Sequence, residues 1–276
     1  MFRISYCPPI SHCDPKIKPF WRKIFVSAIF TSFLVASAAL FFGGCFYNGT
    51  ATNNIEKQMQ AMRAQAHRKA NQALIPCKTE KDILKIIGFE TVNEICRNWV
   101  GSAFVVQHNG HQYLVSATHV VAKNSNFRAY KNKKEVPFEI DEWIVFDDSS
   151  LIRLKNNTFS NPYEVDMEFA STLQKRLHAE EKIECIAYGF APRGLSKTEG
   201  HILSIYTDVK TRAQFIISSN PIVGGMSGGV LTTKEGKAIG VVSSYVNGPN
   251  CWGMYLPISN LICLIERHSE LNKKKP

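Results

Sequence analysis

The chain has 276 residues, of which 45% are hydrophobic and 20% are charged, and this ordinary globular balance excludes a wholly disordered protein. Its formal net charge is +10, but the excess lies in residues 1–23, in residues 54–100 and in the lysines at 273–275. Residues 101–272 are therefore close to neutral, and their charge gives no support to a nucleic-acid-binding face.

Residues 24–46 contain no charged residue and are apolar over about the 20 positions that a membrane-spanning helix requires. Four cations lie close before this segment, at positions 16, 18, 22 and 23, and no charge follows it before Glu56. The positive-inside rule predicts a cytoplasmic basic N-terminus (1–23), an uncleaved signal anchor (24–46) and an extracytoplasmic remainder, either periplasmic or extracellular. A cleaved signal peptide and lipidation at Cys45, which follows two glycines in a loose lipobox, stay open as alternatives.

Residues 47–95 are predicted to be a helical stalk or linker. Asn54 to Leu74 contains no glycine or proline and is rich in Gln, Ala, Lys, Arg and Met, which predicts a polar helix that ends near Pro76. A second, short helix is predicted from Glu80 to Ile87, where Gly88 would end it. The apolar residues of the first helix are too sparse to predict a coiled coil.

From about Cys96 onward, short apolar or alternating runs are separated by turn residues. The first two runs flank Asn109-Gly110, a pair typical of a hairpin turn. Later strands are predicted at 143–146, 151–154, 182–189, 200–209, 214–218, 228–232 and 238–245, with a closing helix at 258–270. Many short strands without long helices between them predict an antiparallel barrel or sandwich.

Ser227 stands among four glycines in Gly224-Gly225-Met226-Ser227-Gly228-Gly229, directly before a predicted strand. Glycines permit a tight turn in which peptide N–H groups converge on one oxygen. Acyl transfer needs such donors, because its tetrahedral intermediate carries negative charge on the former carbonyl oxygen. We assign the donors to the backbone N–H groups of Gly225 and Ser227. Taken alone, the hexapeptide is equally compatible with an unreactive turn.

A serine hydroxyl needs a neighbouring base, and the base needs a partner that fixes its tautomer. His119 ends the second strand of the predicted hairpin, where a loop would expose it. Two acids, Asp147 and Asp148, precede a later strand. The residues by themselves leave either acid open as the partner, or both as solvated turn residues.

These segments together resemble the trypsin-like serine peptidases, and most closely the high-temperature-requirement family of envelope proteases. The resemblance covers roughly residues 96–270 and rests on these motifs: Gly101-Ser102-Ala103-Phe104, Thr118-His119-Val120-Val121, Asp148-Ser149-Ser150-Leu151-Ile152, Gly225-Met226-Ser227-Gly228-Gly229, Ile239-Gly240-Val241 and Tyr255-Leu256-Pro257-Ile258. It implies an all-β domain at 96–272 built from two six-stranded antiparallel barrels. It also implies His119 as general base, Asp148 as the orienting acid and Ser227 as nucleophile.

The resemblance implies a serine endopeptidase that acts on protein or peptide substrates without a cofactor or metal, and the predicted anchor makes it membrane-anchored. The resemblance also leaves room for a homo-oligomer. Thr118 and Met226 depart from the family's usual alanine and its usual asparagine or aspartate, and the family's PDZ domain is not expected. The alternative is a catalytically silent barrel that binds peptides or proteins.

Two further expectations concern the substrate pocket and the cysteines. The residues assigned to the first specificity pocket, Val242, Ser243 and Ser244, include no acid to receive Lys or Arg, so we expect cleavage after small or medium apolar residues. Five cysteines follow the predicted anchor, and their pairing stays open. None of their spacings is that of a close metal-ligand pair, so zinc is not predicted.

Overall fold

The computed structural model of the chain describes residues 4–6, 49–92, 95–121, 127–209, 211–246 and 251–273. The predicted membrane segment (24–46) lies outside these residues, together with Cys45 and most of the basic N-terminus. Within the described ranges, no helix is both long enough and apolar enough to cross a membrane. Residues 1–9 and 63–276 belong to one compact unit; of the other unit, residues 10–62, the structure describes the helical part that begins at Gly49.

Helix α1 (Gly49–Gln72) agrees with the predicted polar helix and begins slightly earlier. Its interior holds neither glycine nor proline, so nothing in the sequence interrupts its backbone hydrogen bonds. It ends shortly before Pro76, a residue that cannot donate a backbone hydrogen bond.

The chain up to residue 154 supplies all strands of the first sheet and one further short strand that joins the second sheet. The strands are β1 (Ile4–Tyr6), β2 (Ile75–Pro76), β3 (Ile83–Val92), β4 (Ile95–His108), β5 (His111–Ala117), β6 (Phe127–Lys131), β7 (Lys134–Glu135), β8 (Ile140–Phe146) and β9 (Ser149–Leu154), with the short helix α2 (Thr118–Val121) after β5. All except β2 form one sheet in the order β1-β8-β9-β5-β4-β3-β6-β7. Among the described residues no pairing joins β6 or β7 back to β8, so closure of this half into a six-stranded barrel stays a prediction.

Strand β3 occupies the region where the short helix at 80–87 was predicted, and that prediction is wrong. β3 pairs antiparallel with both β4 and β6. From Leu84 onward burial alternates along the strand: Leu84 and Ile86 are buried, whereas Lys85 and Ile87 are half-exposed. Gly88 does not end a helix; it faces Trp99 across the pair, and a Cβ there would lie 2.3 Å from the indole ring.

The second sheet is a closed antiparallel barrel. Helix α3 (Phe169–His178) leads into β10 (Glu184–Ala191), β11 (Gly194–Thr207), β12 (Gln214–Pro221), β13 (Val230–Thr233), β14 (Ala238–Tyr245), β15 (Trp252–Pro257) and the closing helix α4 (Ile258–Lys273). Six strands follow the order β10-β13-β14-β15-β12-β11, and β11 pairs back to β10; β2 adds to the edge of β11. The predicted all-β class and one of the two predicted barrels are therefore confirmed.

An apolar cluster joins the two sheets and places the site at their border. Phe104 and Val115 of the first sheet belong to the same buried cluster as Val230 and Val241 of the barrel. Helix α4 contributes one face to this cluster through Ile258, Leu261, Ile262 and Ile265, the spacing of an amphipathic helix. The ends of β5, β9, β13 and β14 therefore lie close together, although they are far apart in the chain.

Candidate active site

The loop between β12 and β13 carries Ser227, and its path requires glycine. Gly225 has φ of +93° and Gly228 has φ of +82°, values that residues with a side chain rarely adopt. A Cβ on Gly228 would lie 2.1 Å from the carbonyl oxygen of Ser102, and one on Gly229 would lie 2.1 Å from that of Tyr188. The glycines therefore set the backbone conformation of the nucleophile loop, defined as residues 224–229.

The structure brings His119 and Asp148 together. His119 lies in α2, directly after β5, and Asp148 lies in the turn between β8 and β9; β5 and β9 pair at Ala117 and Ser149. The Nδ1 atom of His119 lies 2.8 Å and 2.9 Å from the two carboxylate oxygens of Asp148, and the backbone N–H of His119 donates to the same carboxylate at 3.1 Å. A carboxylate at Nδ1 favours the tautomer that leaves Nε2 free to accept a proton.

Asp147, the alternative acid, plays a different part. It opens the same turn with φ of +48° and does not contact His119 among the described contacts. Burial, with further contributions from the carboxylates of Asp148 and Asp208, raises the pKa of Asp147 above its ordinary value. Asp148 is therefore the acid whose position suits the orientation of His119.

Ser243, which was predicted to line the substrate pocket, contacts Asp148 instead, and the sequence did not predict this contact. The Ser243 hydroxyl donates to the second carboxylate oxygen of Asp148 at 2.6 Å, and the residue is buried. This contact links β14 to the turn before β9, and no local sequence pattern predicts it. Asp148 is thus held by donors from both halves of the domain.

Ser227 lies next to this group, and its hydroxyl donates to the carbonyl oxygen of Ser243 at 3.4 Å. No hydrogen bond between the Ser227 hydroxyl and His119 is present among the described residues. The His119 side chain is 42% exposed, so a substrate can approach its free face. A hydrogen bond between the Ser227 hydroxyl and His119 would therefore require a rotation of the Ser227 side chain.

The backbone N–H groups of Gly225 and Ser227 donate to no acceptor within the described part of the chain. Three other N–H groups of the nucleophile loop are engaged: Met226 N–H donates to Val223 O at 3.2 Å, Gly228 N–H to Val242 O at 2.7 Å, and Gly229 N–H to Met226 O at 2.8 Å. Two fixed amides without acceptors beside a serine can bind a developing oxyanion.

A buried serine of the first sheet, Ser102, holds the nucleophile loop in place. Its N–H donates to Ser227 O at 2.7 Å, and its hydroxyl donates to Gly225 O at 2.8 Å. The same hydroxyl accepts from Phe190 N–H at 2.7 Å, and Ser116 donates to Ser102 O at 2.8 Å. The sequence carries one signal for this role, the polar Ser102 within the otherwise apolar motif Gly101-Ser102-Ala103-Phe104.

The residues predicted to wall the pocket have separate positions. Val242 is fully buried, Ser243 points to Asp148, and Ser244 is exposed with its hydroxyl 3.7 Å from the sulfur of Met254. Val242 shares a buried apolar cluster with Ile222, Val223, Met226, Cys251 and Tyr255. Met226, which departs from the family pattern, is an apolar core residue in this chain.

The described residues contain no group of three or more His, Cys, Asp or Glu side chains that could hold a metal ion. Cys77, Cys185, Cys251 and Cys263 are free thiols. Burial raises the pKa of the Cys185 thiol to about 12, so this thiol is a weak nucleophile.

Comparisons with solved structures agree with the fold. The Rv3671c protease from M. tuberculosis in its active form aligns with a TM-score of 0.50 and 20% identity, over 65% of this chain and 77% of that chain. The HtrA-type protease AlgW with decapeptide aligns with a TM-score of 0.52 and 15% identity, over 74% of this chain and 67% of that chain. At these identities the likeness shows the fold and not the activity.

No curated protein matches the chain. The family model described as "Trypsin-like peptidase domain" matches residues 101–241, a span that includes the hairpin, the His119–Asp148 pair and the nucleophile loop. The predicted resemblance to trypsin-like serine peptidases is therefore confirmed, and the chain belongs to the trypsin-like peptidase domain family.

Proposed function

We propose that the chain is a serine endopeptidase in which Ser227 is the nucleophile, His119 the general base and Asp148 the residue that orients His119. The observation that carries this proposal is the contact of Asp148 with both His119 Nδ1 and the Ser243 hydroxyl. Beside this pair lies Ser227, and the N–H groups of Gly225 and Ser227 donate to no acceptor among the described residues. Each such amide contributes about 3 kcal/mol to transition-state stabilisation in acyl transfer.

The proposed reaction begins when the Ser227 hydroxyl turns from Ser243 O toward His119 Nε2. Ser227 Oγ attacks the substrate carbonyl carbon and its proton passes to Nε2, while Asp148 stabilises the resulting imidazolium. The oxyanion accepts from the N–H groups of Gly225 and Ser227. His119 then gives the proton to the leaving amine, and an acyl-enzyme forms. A water molecule, deprotonated by His119, hydrolyses the ester and regenerates the Ser227 hydroxyl.

The substrate is proposed to bind as a strand along Ser243–Tyr245. Strand β13 pairs with β14 only up to Val241, so within the described residues Ser243–Tyr245 has a partner strand only on the β15 side. Val246 N–H donates to Trp252 O on that side at 2.7 Å. Because backbone directions alternate, the N–H and C=O of Tyr245 point to the opposite, free edge, as does Ser243 O.

We propose that the first pocket accepts a small or medium apolar side chain. Its support is that the two segments which the resemblance places beside this pocket, residues 221–223 and 242–245, contain no acidic residue to receive Lys or Arg. A peptide library digested by the protein should show cleavage after residues such as alanine and valine. Predominant cleavage after lysine or arginine would overturn this preference.

The triad is tested by labelling the full-length protein with a fluorophosphonate probe. We expect the wild type to be labelled at Ser227 and the variants Ser227→Ala and His119→Ala to remain unlabelled. Ser171→Ala, which removes an exposed helix serine bonded to Glu168, is the matched control and should be labelled like the wild type. A folded wild type that does not react would contradict the proposal.

One observation favours the second candidate, a silent barrel that binds peptides. The Ser227 hydroxyl faces Ser243 O and not His119. A silent barrel would keep this arrangement when a peptide binds. The same labelling experiment separates the two candidates, because the silent barrel binds peptide but leaves the probe unreacted.

We also propose that residues 24–46 anchor the protein in a membrane with the peptidase domain on the extracytoplasmic side. The support is the charge-free sequence of this segment and the cations before it. In the structure β1 pairs parallel with β8, from Ile4 opposite Trp143 to Tyr6 opposite Val145. If a membrane separated the N-terminus from the domain, β1 could not reach β8. The anchored protein would therefore lack the β1–β8 pairing.

The native cysteines allow a direct test of this topology. In intact cells a membrane-impermeant maleimide should modify Cys263, which is exposed on the domain, but not Cys7 or Cys13. Permeabilised cells should show modification of all three. Modification of Cys7 and Cys13 in intact cells would instead place the N-terminus on the same side as the domain, as the β1–β8 pairing requires.

A further inference from the structure

The last turns of α1 are packed on the barrel and do not stand free as a simple stalk. Ala66 and Ala70 are only 3% and 2% exposed, and they belong to the buried cluster that also contains Val223 and Met226 of the loop region. Both side chains are small, which lets the helix backbone approach the barrel closely. Leu74 packs against the same cluster after the helix ends.

This segment is fixed to the barrel at two places. On one side β2 pairs with Ser196 and Lys197 of β11, and Cys77 N–H donates to Leu195 O at 3.2 Å. On the other side His67 Nε2 lies 3.2 Å from the hydroxyl of Tyr245, with the two rings edge to face at a centroid distance of 5.3 Å. The second contact links the helix to the end of β14.

Tyr245 is the residue of β14 that an extended substrate reaches last. Ser243 O lies beside the nucleophile, and Tyr245 follows it by two residues on the same free edge. A strand advances about 3.3 Å per residue, so the substrate residue opposite Tyr245 is two positions before the one that enters the first pocket. Tyr245 is half-buried and packs against the same buried cluster as Ala66 and Ala70.

We propose that His67 is a positioning residue of the substrate-binding site: it holds the Tyr245 ring so that this ring binds an apolar side chain of the third substrate residue before the scissile bond. This proposal rests on the proposed peptidase function and deepens it. It gives α1 a part in substrate selection, although the family match begins only at residue 101. An aromatic ring held on one side by a hydrogen bond and an edge-to-face contact is a preorganised wall for such a side chain.

The test compares two esters on the full-length protein: acetyl-valine nitrophenyl ester, which reaches only the first pocket, and acetyl-leucyl-alanyl-valine nitrophenyl ester, which reaches Tyr245. We expect His67→Ala and Tyr245→Phe each to lower the ratio of kcat/KM for the longer ester to that for the shorter ester by roughly fivefold, the size of one hydrogen bond. The double variant should lose no more than either single variant, because the two residues act through one contact. His67→Gln, which keeps a hydrogen-bonding side chain, should restore part of the ratio.

Arg68→Ala is the matched control, since Arg68 is exposed on the same helix turn. It should leave the ratio at the wild-type value. An unchanged ratio in His67→Ala, or losses that multiply in the double variant, would overturn the proposal. Equal losses for both esters, accompanied by a lower Tm, would show a purely structural role and would also overturn it.

Failure of the proposed catalytic function is recognised separately, because neither ester would be hydrolysed and Ser227 would not react with the fluorophosphonate probe. Binding of acetyl-leucyl-alanyl-valine amide to Ser227→Ala, measured by titration calorimetry, needs no catalysis. Addition of His67→Ala to that background should weaken binding roughly fivefold. Binding that is absent, or that is unchanged by His67→Ala, would refute the role of His67 whatever the outcome for catalysis.

Discussion

Replacement of Ser102 by alanine removes a hydroxyl that joins three segments of the site. In the wild type this hydroxyl donates to Gly225 O at 2.8 Å and accepts from Phe190 N–H at 2.7 Å. Ser102 itself is fully buried, so water cannot readily replace either bond. The backbone N–H of Ser102, which donates to Ser227 O, remains in the variant.

The size of the destabilisation follows from the two buried backbone groups, Gly225 C=O and Phe190 N–H, that lose a hydrogen-bond partner. An unsatisfied buried N–H or C=O costs about 1–3 kcal/mol, so loss of both bonds should lower the free energy of unfolding by about 2–6 kcal/mol. At roughly 2–4 °C per kcal/mol, the Tm should fall by roughly 4–24 °C. Loss of an oxyanion donor costs about 100- to 1000-fold in rate, and the variant keeps both donors but loosens one of them. We therefore expect labelling at Ser227 to slow by roughly 10- to 100-fold.

The assay is the second-order rate constant for fluorophosphonate labelling, measured well below the Tm of each variant. Ser116→Ala is the control, since Ser116 is also fully buried and donates to Ser102 O, but it makes no hydrogen bond to the nucleophile loop. It should lower the Tm by a few degrees and leave labelling nearly unchanged. Labelling of Ser102→Ala at the wild-type rate, or an equal loss in both variants, would refute the view that Ser102 positions the loop.

Three further predictions concern charge, thiol reactivity and the loop glycine. Burial and nearby carboxylates raise the pKa of Asp147, so at a pH above the ordinary pKa of an aspartate the ionised carboxylate destabilises the folded state. Asp147→Asn should therefore raise the Tm by up to about 2 °C at pH 7. This gain should vanish below about pH 4, where Asp147 is protonated in both the folded and the unfolded state. Maleimide at pH 7.5, followed by mass spectrometry, should modify exposed Cys263 in the native protein and reach Cys185 only after unfolding; native modification of Cys185 would contradict its burial. Gly228→Ala should abolish labelling and lower the Tm, because its Cβ would overlap Ser102 O at a positive φ, whereas Gly224→Ala, with nothing within 4 Å of its Cβ, should keep the wild-type Tm.

The features that could be predicted from the sequence are those determined by local backbone chemistry. Asn109 and Gly110 have φ of +47° and +79°, the values that a two-residue hairpin turn demands, so the hairpin could be predicted from two letters. The nucleophile loop was visible for the same reason, since few structures other than tight turns need four glycines around a serine. The resemblance added the barrel architecture, of which one barrel is confirmed, and the choice of Asp148 over Asp147.

The features that were missed depend on partners far away in the chain. Ile83 to Gly88 carries apolar residues at spacings compatible with either a helix or a strand, and pairing with β4 and β6 decides in favour of the strand. The hydroxyl of Ser243 was assigned to a pocket because its true acceptor, Asp148, belongs to a different sheet. The contact of His67 with Tyr245 has no local signature at all.

The distribution of contacts explains why the site depends on both halves of the domain at once. His119 and Asp148 come from the first sheet, whereas Ser227 and Ser243 come from the barrel. At the site two sets of hydrogen bonds cross the border: the Ser243 hydroxyl to Asp148, and those of Ser102 with the nucleophile loop and with Phe190 N–H. A small displacement of the barrel from the sheet would lengthen both sets together, so orientation of the base and position of the nucleophile should be lost in one step and not independently. Labelling at Ser227 should therefore decline more steeply with denaturant than the far-ultraviolet circular dichroism, which reports only the strands and helices of each half.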